Sequence, residues 1–242
     1  MNLITVKTGS KGNCYLLRDD NGHYLCLDCG KDVQWRREFL NGCKFALNKV
    51  DAVLFTHKHG DHLGHMKDFM KSGVKMYGCD IIYGMNILPE REFTKVDGGW
   101  WVVPWSVPHT DPDGSKVTCF AYYIKSPSGH RMVYITDFLY SAVTFKRLAV
   151  QTILVSCNHD DDIDKSDNSK WQHVVTGHSS VSVVKNLLLA NQTDALKNVI
   201  LCHMSETNAT PDEILREIQE TVGEKVAVTI AENGKKIHLD ER

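Results

Sequence analysis

The sequence has no run of about 18 consecutive apolar residues, the length that a membrane-spanning helix requires. Its apolar start, from Met1 to Val6, meets Lys7 too soon to serve as a secretory signal peptide. We therefore expect a cytoplasmic protein with no membrane partner. The sequence does not predict its oligomeric state.

The chain also lacks an excess of positive charge, because 28 Lys and Arg residues stand against 30 Asp and Glu residues, giving a formal net charge of -2. Proteins that bind nucleic acids tightly and without specificity usually carry a strongly basic surface. The balance argues against that class. It leaves a phosphodiester substrate possible, because bound metal ions would add positive charge that the composition does not count.

A second C-x-x-C motif is missing as well. Cys26 and Cys29 form one such pair, and a structural zinc site of this type needs two. Most of the eight cysteines lie inside apolar, strand-like segments, which favours reduced thiols that pack in a core.

What the sequence does contain is the pattern of one α/β domain over residues 1–242. Helices are predicted at 63–72 and 182–189, and a third at 211–222, where Thr210 starts a capping box and Pro211 takes the first helical position. Asn233-Gly234 predicts a turn between two late strands. The pattern indicates two sheets packed between helices, with strands expected at 3–6, 14–17, 24–27, 50–55, 76–77, 101–107, 119–124, 132–135, 152–155, 226–230 and 236–239.

Four potential metal ligands occur within six residues, between an apolar strand and a predicted helix. They are His57, His59, Asp61 and His62, and Gly60 allows the sharp turn between them. Imidazoles and carboxylates are the donors that a hydrolytic metal site uses. Clustered surface histidines are the alternative interpretation, but four potential ligands at this spacing favour metal binding.

This H-x-H-x-D-H motif after an apolar strand resembles the signature of the metallo-β-lactamase superfamily. Four further residues resemble the superfamily's other ligands in the expected order: Asp28, His109, Asp137 and His203. The resemblance implies the αββα sandwich of that superfamily, with two mixed sheets flanked by helices.

Shorter elements resemble the WalJ (YycJ)-like exonuclease group within this superfamily. They are the glycine-rich segment from Gly9 to Cys14, the Asn158-His159-Asp160 triplet, Gly177-His178-Ser179-Ser180, and the segment from His203 to Asn208. The resemblance therefore extends from about residue 5 to about residue 230.

By this resemblance, His57, His59 and His109 would hold one metal ion, and Asp61, His62 and His203 a second. Asp137 would bridge the two ions, and Asp28 would lie beside them as a weak or supporting ligand. A hydroxide shared by the metals would attack the substrate, with Asp61 orienting it or accepting its proton. We expect zinc, with manganese and iron as alternatives.

Two further histidines are candidate catalytic residues. His178 and His159 lie in polar segments that the resemblance places near the site, where either could donate a proton or a hydrogen bond to a phosphate. Structural hydrogen bonds are the alternative for both. Other histidines lie in turns or near the end of the chain and are expected to be solvated: His23, His130, His173 and His238.

Several substrate contacts are also considered. Lys11 and Asn13 lie in a loop that could bind phosphate or simply form a tight turn. Trp100, Trp101 and Trp105 could stack on bases or fill the core. Phe138 departs from the small residue expected after Asp137 and predicts a bulkier pocket wall, and the acidic stretch from Asp160 to Lys170 would suit a DNA duplex poorly.

The leading functional hypothesis is a metal-dependent phosphodiesterase, most specifically a DNA exonuclease. A small cyclic-nucleotide phosphodiesterase is the alternative, and a lactonase or thioesterase ranks third. A binding or regulatory protein that has lost activity is a different class, against which the complete ligand set argues. The expected substrate is therefore a phosphodiester, either DNA or a nucleotide.

Overall fold

Each of the two β-sheets joins an antiparallel half to a parallel half. A computed structural model describes residues 1–30, 47–79, 84–111, 113–162, 174 and 177–239. Cys43, His173 and the acidic stretch beyond Asp162 lie outside these residues. Within them, no helix has the length and apolar character needed to cross a membrane.

The first sheet contains the two ends of the chain. Its strands are β1 (Asn2–Lys7), β2 (Cys14–Arg18), β3 (Tyr24–Leu27), β4 (Ala52–Leu54), β5 (Lys75–Gly78), β6 (Met85–Ile87) and β14 (Lys236–His238). Their order is β14-β1-β2-β3-β4-β5-β6. The pairs from β14 to β3 are antiparallel, whereas the pairs from β3 to β6 are parallel.

The second sheet also consists of a parallel half and an antiparallel half. Its strands are β7 (Thr94–Lys95), β8 (Trp101–Thr110), β9 (Lys116–Lys125), β10 (Arg131–Ile135), β11 (Thr152–Ser156), β12 (Asn198–Cys202) and β13 (Ala227–Ile230). Their order is β13-β12-β11-β10-β9-β8-β7. The pairs from β13 to β10 are parallel, whereas the pairs from β10 to β7 are antiparallel.

Helices cover the outer faces of both sheets. They are α1 (Gly60–Leu63), α2 (Met66–Lys71), α3 (Val181–Asn191) and α4 (Pro211–Val222), with short 3-10 turns at Leu47–Lys49, Asp97–Gly99 and Lys146–Leu148. Phe69 of α2 belongs to a cluster outside the first sheet, and Leu188 of α3 and Ile218 of α4 to a cluster outside the second. The predicted fold, two mixed sheets flanked by helices, is confirmed.

Alternate residues of each strand supply the layers of the core. In β10, Met132 and Tyr134 face the cluster between the two sheets, whereas Val133 and Ile135 face the cluster under α3 and α4. Side chains of a strand point alternately to its two faces, so a strand covered on both faces reads as a continuous apolar run. This explains why the strands of this chain show no clear polar alternation.

Asn233-Gly234 forms the predicted turn, in which the Lys235 amide donates to the Glu232 carbonyl at 3.0 Å. The strands on its two sides do not pair with each other, because β13 pairs with β12 in one sheet and β14 with β1 in the other. The predicted capping box was wrong, because Thr210 precedes α4 but makes no side-chain capping bond. Its hydroxyl donates to the Asp160 carboxylate instead, at 2.8 Å.

His130 is buried, contrary to the prediction of a solvated turn residue. Only 2% of its surface is exposed, and its Nε2 lies 3.0 Å from the Thr152 hydroxyl. In the hairpin between β9 and β10, the Ser126 amide donates to the His130 carbonyl at 2.8 Å and the His130 amide donates to the Ser126 hydroxyl at 3.0 Å. Burial, reinforced by the positive charge of the N-terminus, lowers the pKa of His130 to about 4.

This pKa predicts a loss of stability in mild acid. The pKa is near 6.5 in the unfolded chain, so between pH 6.5 and about 4 the unfolded state binds a proton that the folded state does not. We expect the free energy of unfolding to fall by about 2 kcal/mol more in the wild type than in His130→Gln between pH 7 and pH 5. Urea unfolding at both pH values measures this difference, and equal pH dependence in the two proteins would contradict it.

Candidate metal centre

The candidate ligands meet at one edge of the sandwich, where strands of both sheets end. Asp28 follows β3 and the His57 to His62 motif follows β4, whereas Asp137 follows β10 and His203 follows β12. The carboxyl ends of parallel strands in one sheet lie at the same edge, which is where α/β proteins place their sites. His109 joins them from the penultimate position of β8.

Three imidazoles form a first group, which we call the three-histidine cluster: His57, His59 and His109. His59 Nδ1 lies 3.1 Å from His57 Nε2 and 3.1 Å from His109 Nε2. His57 and His109 are buried, whereas the side chain of His59 is 23% exposed. The three inner nitrogens therefore point at one common position that solvent can reach.

The outer nitrogens of these rings all have acceptors. His109 Nδ1 donates to the Gly177 carbonyl at 2.7 Å, and His59 Nε2 to Asp111 at 2.6 Å. His57 Nδ1 lies 3.0 Å from the Thr56 hydroxyl, which itself donates to Asp28. With the outer protons so placed, the inner nitrogens present lone pairs to each other, an arrangement that a cation stabilises. The donor set thus fits a divalent transition metal.

A second group, the mixed cluster, contains Asp61, His62 and His203. Asp61 Oδ2 lies 3.3 Å from the Nε2 atoms of both histidines, whose rings stack with centroids 5.3 Å apart. Asp137 lies between the clusters: its carboxylate is 2.8 Å from His62 Nε2 and 3.5 Å from His203 Nε2. It also forms a possible ligand group with His57 and His62.

The two clusters differ in charge. Burial lowers the pKa of His109 to about 4 and that of His57 well below its usual value, which keeps both rings neutral. Burial also opposes the charged form of His62, but Asp61, Asp28 and Asp137 outweigh it and raise the pKa of this ring. His62 of the mixed cluster therefore lies among carboxylates, whereas His57 and His109 of the three-histidine cluster offer neutral nitrogens.

Three of the candidate residues adopt the left-handed backbone conformation. The φ angles are 54° at Asp28, 47° at Asp137 and 52° at His203. For residues with a Cβ this conformation costs about 1–3 kcal/mol each and is concentrated at functional sites. Asp28 and His203 directly follow a strand and Asp137 follows β10 after one residue, so the bend turns each side chain toward the site.

Asp28 supports the site from behind. It is fully buried, and its carboxylate accepts hydrogen bonds from His62 Nδ1 at 2.8 Å, the Tyr134 hydroxyl at 2.7 Å and the Thr56 amide at 2.8 Å. These partners place it on the outer nitrogen of His62, away from the converging ligand atoms. Of the two roles the sequence allowed, the position favours the supporting one.

His178 lies in the pocket and His159 does not. Lining the pocket are Ser10, His57, His59, Asp61, His109, Asp137, His178 and His203. His178 Nδ1 is 2.7 Å from the Asp137 carboxylate and 17% of its side chain is exposed. His159 is buried, and its Nδ1 donates to the Asp160 carbonyl at 2.7 Å. The position of His159 supports a structural hydrogen bond.

The motifs of the second sheet hold one another in place. Asn158 Nδ2 donates to the His203 carbonyl, and the Ser205 amide donates to the Asn158 carbonyl. The Asp160 amide donates in turn to the Asn208 carbonyl. These bonds fix the loop that carries His203.

The structure corrects one further sequence expectation and decides others. Phe138 is buried in the core beneath α3 and α4 and does not line the pocket, so it does not form the predicted bulkier wall. Trp100 and Trp105 are also buried in the core, whereas Trp101 is 39% exposed. Of the acidic stretch, Asp161 accepts from Ser182 at the start of α3 and does not line the pocket.

Sequence reasoning missed the residues that orient the ligands. Tyr134 was assigned only to a predicted strand, and Thr56 and Asp111 were given no role. Asp111 holds His59 Nε2 and also accepts from Lys58 Nζ at 2.7 Å. Its position two residues after His109 was the one available signal, because a carboxylate beside a metal-binding histidine commonly orients that ring.

Replacing Asp111 by asparagine is expected to weaken metal binding by the three-histidine cluster. His59 would lose its charged acceptor, and loss of such a partner typically lowers metal affinity about 10- to 100-fold. Competitive zinc titration measures the change. Asp113→Asn is the matched control, because Asp113 is exposed in the same loop and does not line the pocket. Equal affinities in the two variants would contradict the prediction.

Comparison with known proteins agrees with this geometry. Residues 8–126 match the family model of the metallo-beta-lactamase superfamily. The metallo-β-lactamase-fold protein YhfI from Bacillus subtilis superposes with a TM-score of 0.73 at 18% identity, covering 98% of both chains. Yeast PDE1 superposes with a TM-score of 0.68 at 15% identity, covering 97% of this chain and 98% of that one.

The chain thus has the metallo-β-lactamase fold, and its residues 8–126 are similar to that superfamily. Among curated relatives, the anti-Pycsar protein Apyc1 of Bacillus phage 010DV004 is 32% identical over 93 residues. That match covers 36% of this chain and spans only 33% of the length of the phage protein. The resemblance to the WalJ-like exonuclease group stays a prediction.

Proposed function

We propose that this protein is a dinuclear-metal-dependent phosphodiesterase. The observation that carries the proposal is the pair of ligand clusters beside one pocket, with Asp137 in a further ligand group that contains His57 of one cluster and His62 of the other. Two divalent metals held side by side are the arrangement that hydrolytic enzymes use on phosphate esters.

The residues that would hold the metals are the three-histidine cluster on one side and the mixed cluster on the other, with Asp137 between them. Zinc is the proposed metal, because neutral imidazoles combined with a carboxylate suit it. Bound there, the two metals would lower the pKa of water to near 7 and offset negative charge on the phosphate.

The chain's own groups would position the substrate and move protons. Asp61 is 23% exposed at the pocket and burial opposes its charge, but His62 and His203 hold its pKa well below the usual range. It therefore stays a carboxylate that can orient a water molecule. His178 lies in the same pocket, where its ring could donate to the phosphate or to the leaving group.

The pocket favours a small nucleotide phosphodiester as the substrate. Its volume of about 160 Å³ lies below the usual range of small-molecule sites, so it has room for little more than the reacting phosphate group. Two lysines near it are already paired, Lys58 with Asp111 and Lys11 with Glu206. A cyclic nucleotide therefore ranks first. A DNA exonuclease is the second candidate, supported by the glycine-rich segment at Gly9 that carries the resemblance to that group.

Hydrolysis of bis-p-nitrophenyl phosphate by zinc-loaded protein tests the proposed chemistry. We expect cleavage by the wild type and its loss in His59→Ala, because the variant removes a nitrogen from the three-histidine cluster. His238→Ala is the matched control, since His238 is exposed on β14. Cyclic nucleotides and end-labelled DNA, assayed in parallel, choose between the two substrates.

Inactivity of the metal-loaded wild type on all of these substrates would refute the phosphodiesterase proposal. Lactones and thioesters would then be the next substrates to test. If these also remain intact while the protein is folded and binds metal, a binding or regulatory role takes the place of catalysis.

A further inference from the structure

One residue of the pocket wall has no part in the ligand clusters. Of the eight described residues that line the pocket, seven are histidines or aspartates, and the eighth is Ser10. All seven belong to groups that could hold a metal ion. Ser10 is exposed and carries an uncharged hydroxyl, which can donate a hydrogen bond to a phosphate oxygen.

Ser10 occupies the tip of a tight turn that opens into the pocket. The Gly12 amide donates to the Gly9 carbonyl at 3.1 Å, so Ser10 and Lys11 are the two central residues. In such a turn the amides of the central residues are left for other partners. Gly9 has a φ of 112°, a conformation that favours glycine.

Buried contacts fix this turn against the ligand loops. The Asn13 side chain is fully buried, accepts from the Gly9 amide at 3.2 Å and donates to the Gly9 carbonyl at 3.1 Å. The Asn13 amide donates to the Asp61 carbonyl at 2.7 Å. Lys11 pairs with Glu206 at 3.0 Å, three residues after His203. The turn is thereby held next to both ends of the mixed cluster.

We propose that Ser10 binds a non-bridging oxygen of the substrate phosphate and so determines which oxygen faces the metals. This inference rests on the proposed phosphodiesterase function. The ligand side chains would be occupied by metal, which leaves the Ser10 hydroxyl, the amides of its turn and His178 as the pocket's donors to substrate. A pre-oriented donor of this kind acts most strongly when charge develops on the oxygen in the transition state.

Steady-state kinetics of Ser10→Ala with a nucleotide phosphodiester tests the inference. We expect kcat/KM to fall about 10- to 100-fold, the effect of losing one hydrogen bond to a charged group. Zinc content and melting temperature should stay at wild-type values, because Ser10 is not among the candidate ligands. Ser10→Thr keeps the hydroxyl and should recover most of the activity.

A phosphorothioate substrate separates direct contact from a structural effect. Sulfur replaces one non-bridging oxygen in the Rp isomer and the other in the Sp isomer, and sulfur accepts hydrogen bonds poorly. If Ser10 contacts one of these oxygens, the ratio of Rp to Sp cleavage rates will differ between the wild type and Ser10→Ala.

The outcomes distinguish the two proposals. Wild-type activity and an unchanged isomer ratio in Ser10→Ala would overturn the Ser10 contact alone. A loss of activity in Ser10→Ala that is matched by a loss of bound zinc would also overturn the Ser10 contact alone. A wild type that cleaves no phosphodiester would overturn the proposed function, and with it this inference.

Discussion

Asp137→Asn is expected to abolish phosphodiesterase activity, with kcat/KM falling about 1000-fold or more. Asp137 forms a candidate ligand group with His57 of the three-histidine cluster and His62 of the mixed cluster, and its left-handed conformation after β10 places it between the clusters. Asparagine has nearly the same shape but no charge and only one oxygen, so it cannot bridge two cations. Zinc content should fall from two ions per chain to one or fewer.

Activity on bis-p-nitrophenyl phosphate and elemental analysis of the purified variant provide the two measurements. Asp97→Asn serves as the control, because Asp97 accepts from Tyr77 and Lys75 near the start of β8, at the other end of the sandwich. Asp137→Asn with two bound zinc ions and wild-type activity would show that the centre is built without this carboxylate.

The second large effect is expected at Gly30, which sequence reasoning treated only as part of the Asp28 motif. A Cβ at this position would overlap the Asp61 carbonyl and the Gly12 Cα, both of which are backbone atoms. The Gly30 amide also donates to the Asn13 carbonyl, so the three loops meet here without room for a side chain. Gly30→Ala must therefore move the backbone that carries Asp61.

We expect Gly30→Ala to reduce the free energy of unfolding by about 3 kcal/mol or more and to weaken metal binding by the mixed cluster. Urea unfolding and zinc titration measure the two effects. Gly78→Ala is the comparison, since Gly78 is also buried but an added Cβ would first meet the flexible end of Met85. A Gly30→Ala variant as stable as Gly78→Ala would show that the loops can yield.

The sequence predicted the strands and the chief helices well, because burial on both faces leaves long apolar runs between turn residues. Tyr24–Leu27 and Pro211–Val222 were predicted with the bounds that the structure has. Edge strands β6 and β7 were missed, since their two or three residues carry no apolar pattern. The sheet to which β14 belongs could not be predicted, because pairing between distant segments leaves no local signal.

For the site, the clustered motif from His57 to His62 was enough to predict a metal centre from local spacing alone. The remaining candidates came from the resemblance, and the fold brings three of them, His109, Asp137 and His203, to the pocket together with His178. His159 was expected there by the same resemblance as His178. Its Nδ1 instead donates to the Asp160 carbonyl, and the residue does not line the pocket. A polar motif in the sequence does not tell which of its side chains faces a cavity.

By itself, the sequence determined the chemistry that this protein offers: imidazoles and carboxylates at strand ends, an apolar core and no net positive charge. The tertiary structure alone decided how these groups are used. Asp28 and Asp111 support histidines, and Gly30 and Ser10 shape the space around the clusters. Such roles depend on which atoms meet across 30 to 200 residues of chain, and only the packing of the two sheets brings those atoms within hydrogen-bonding distance.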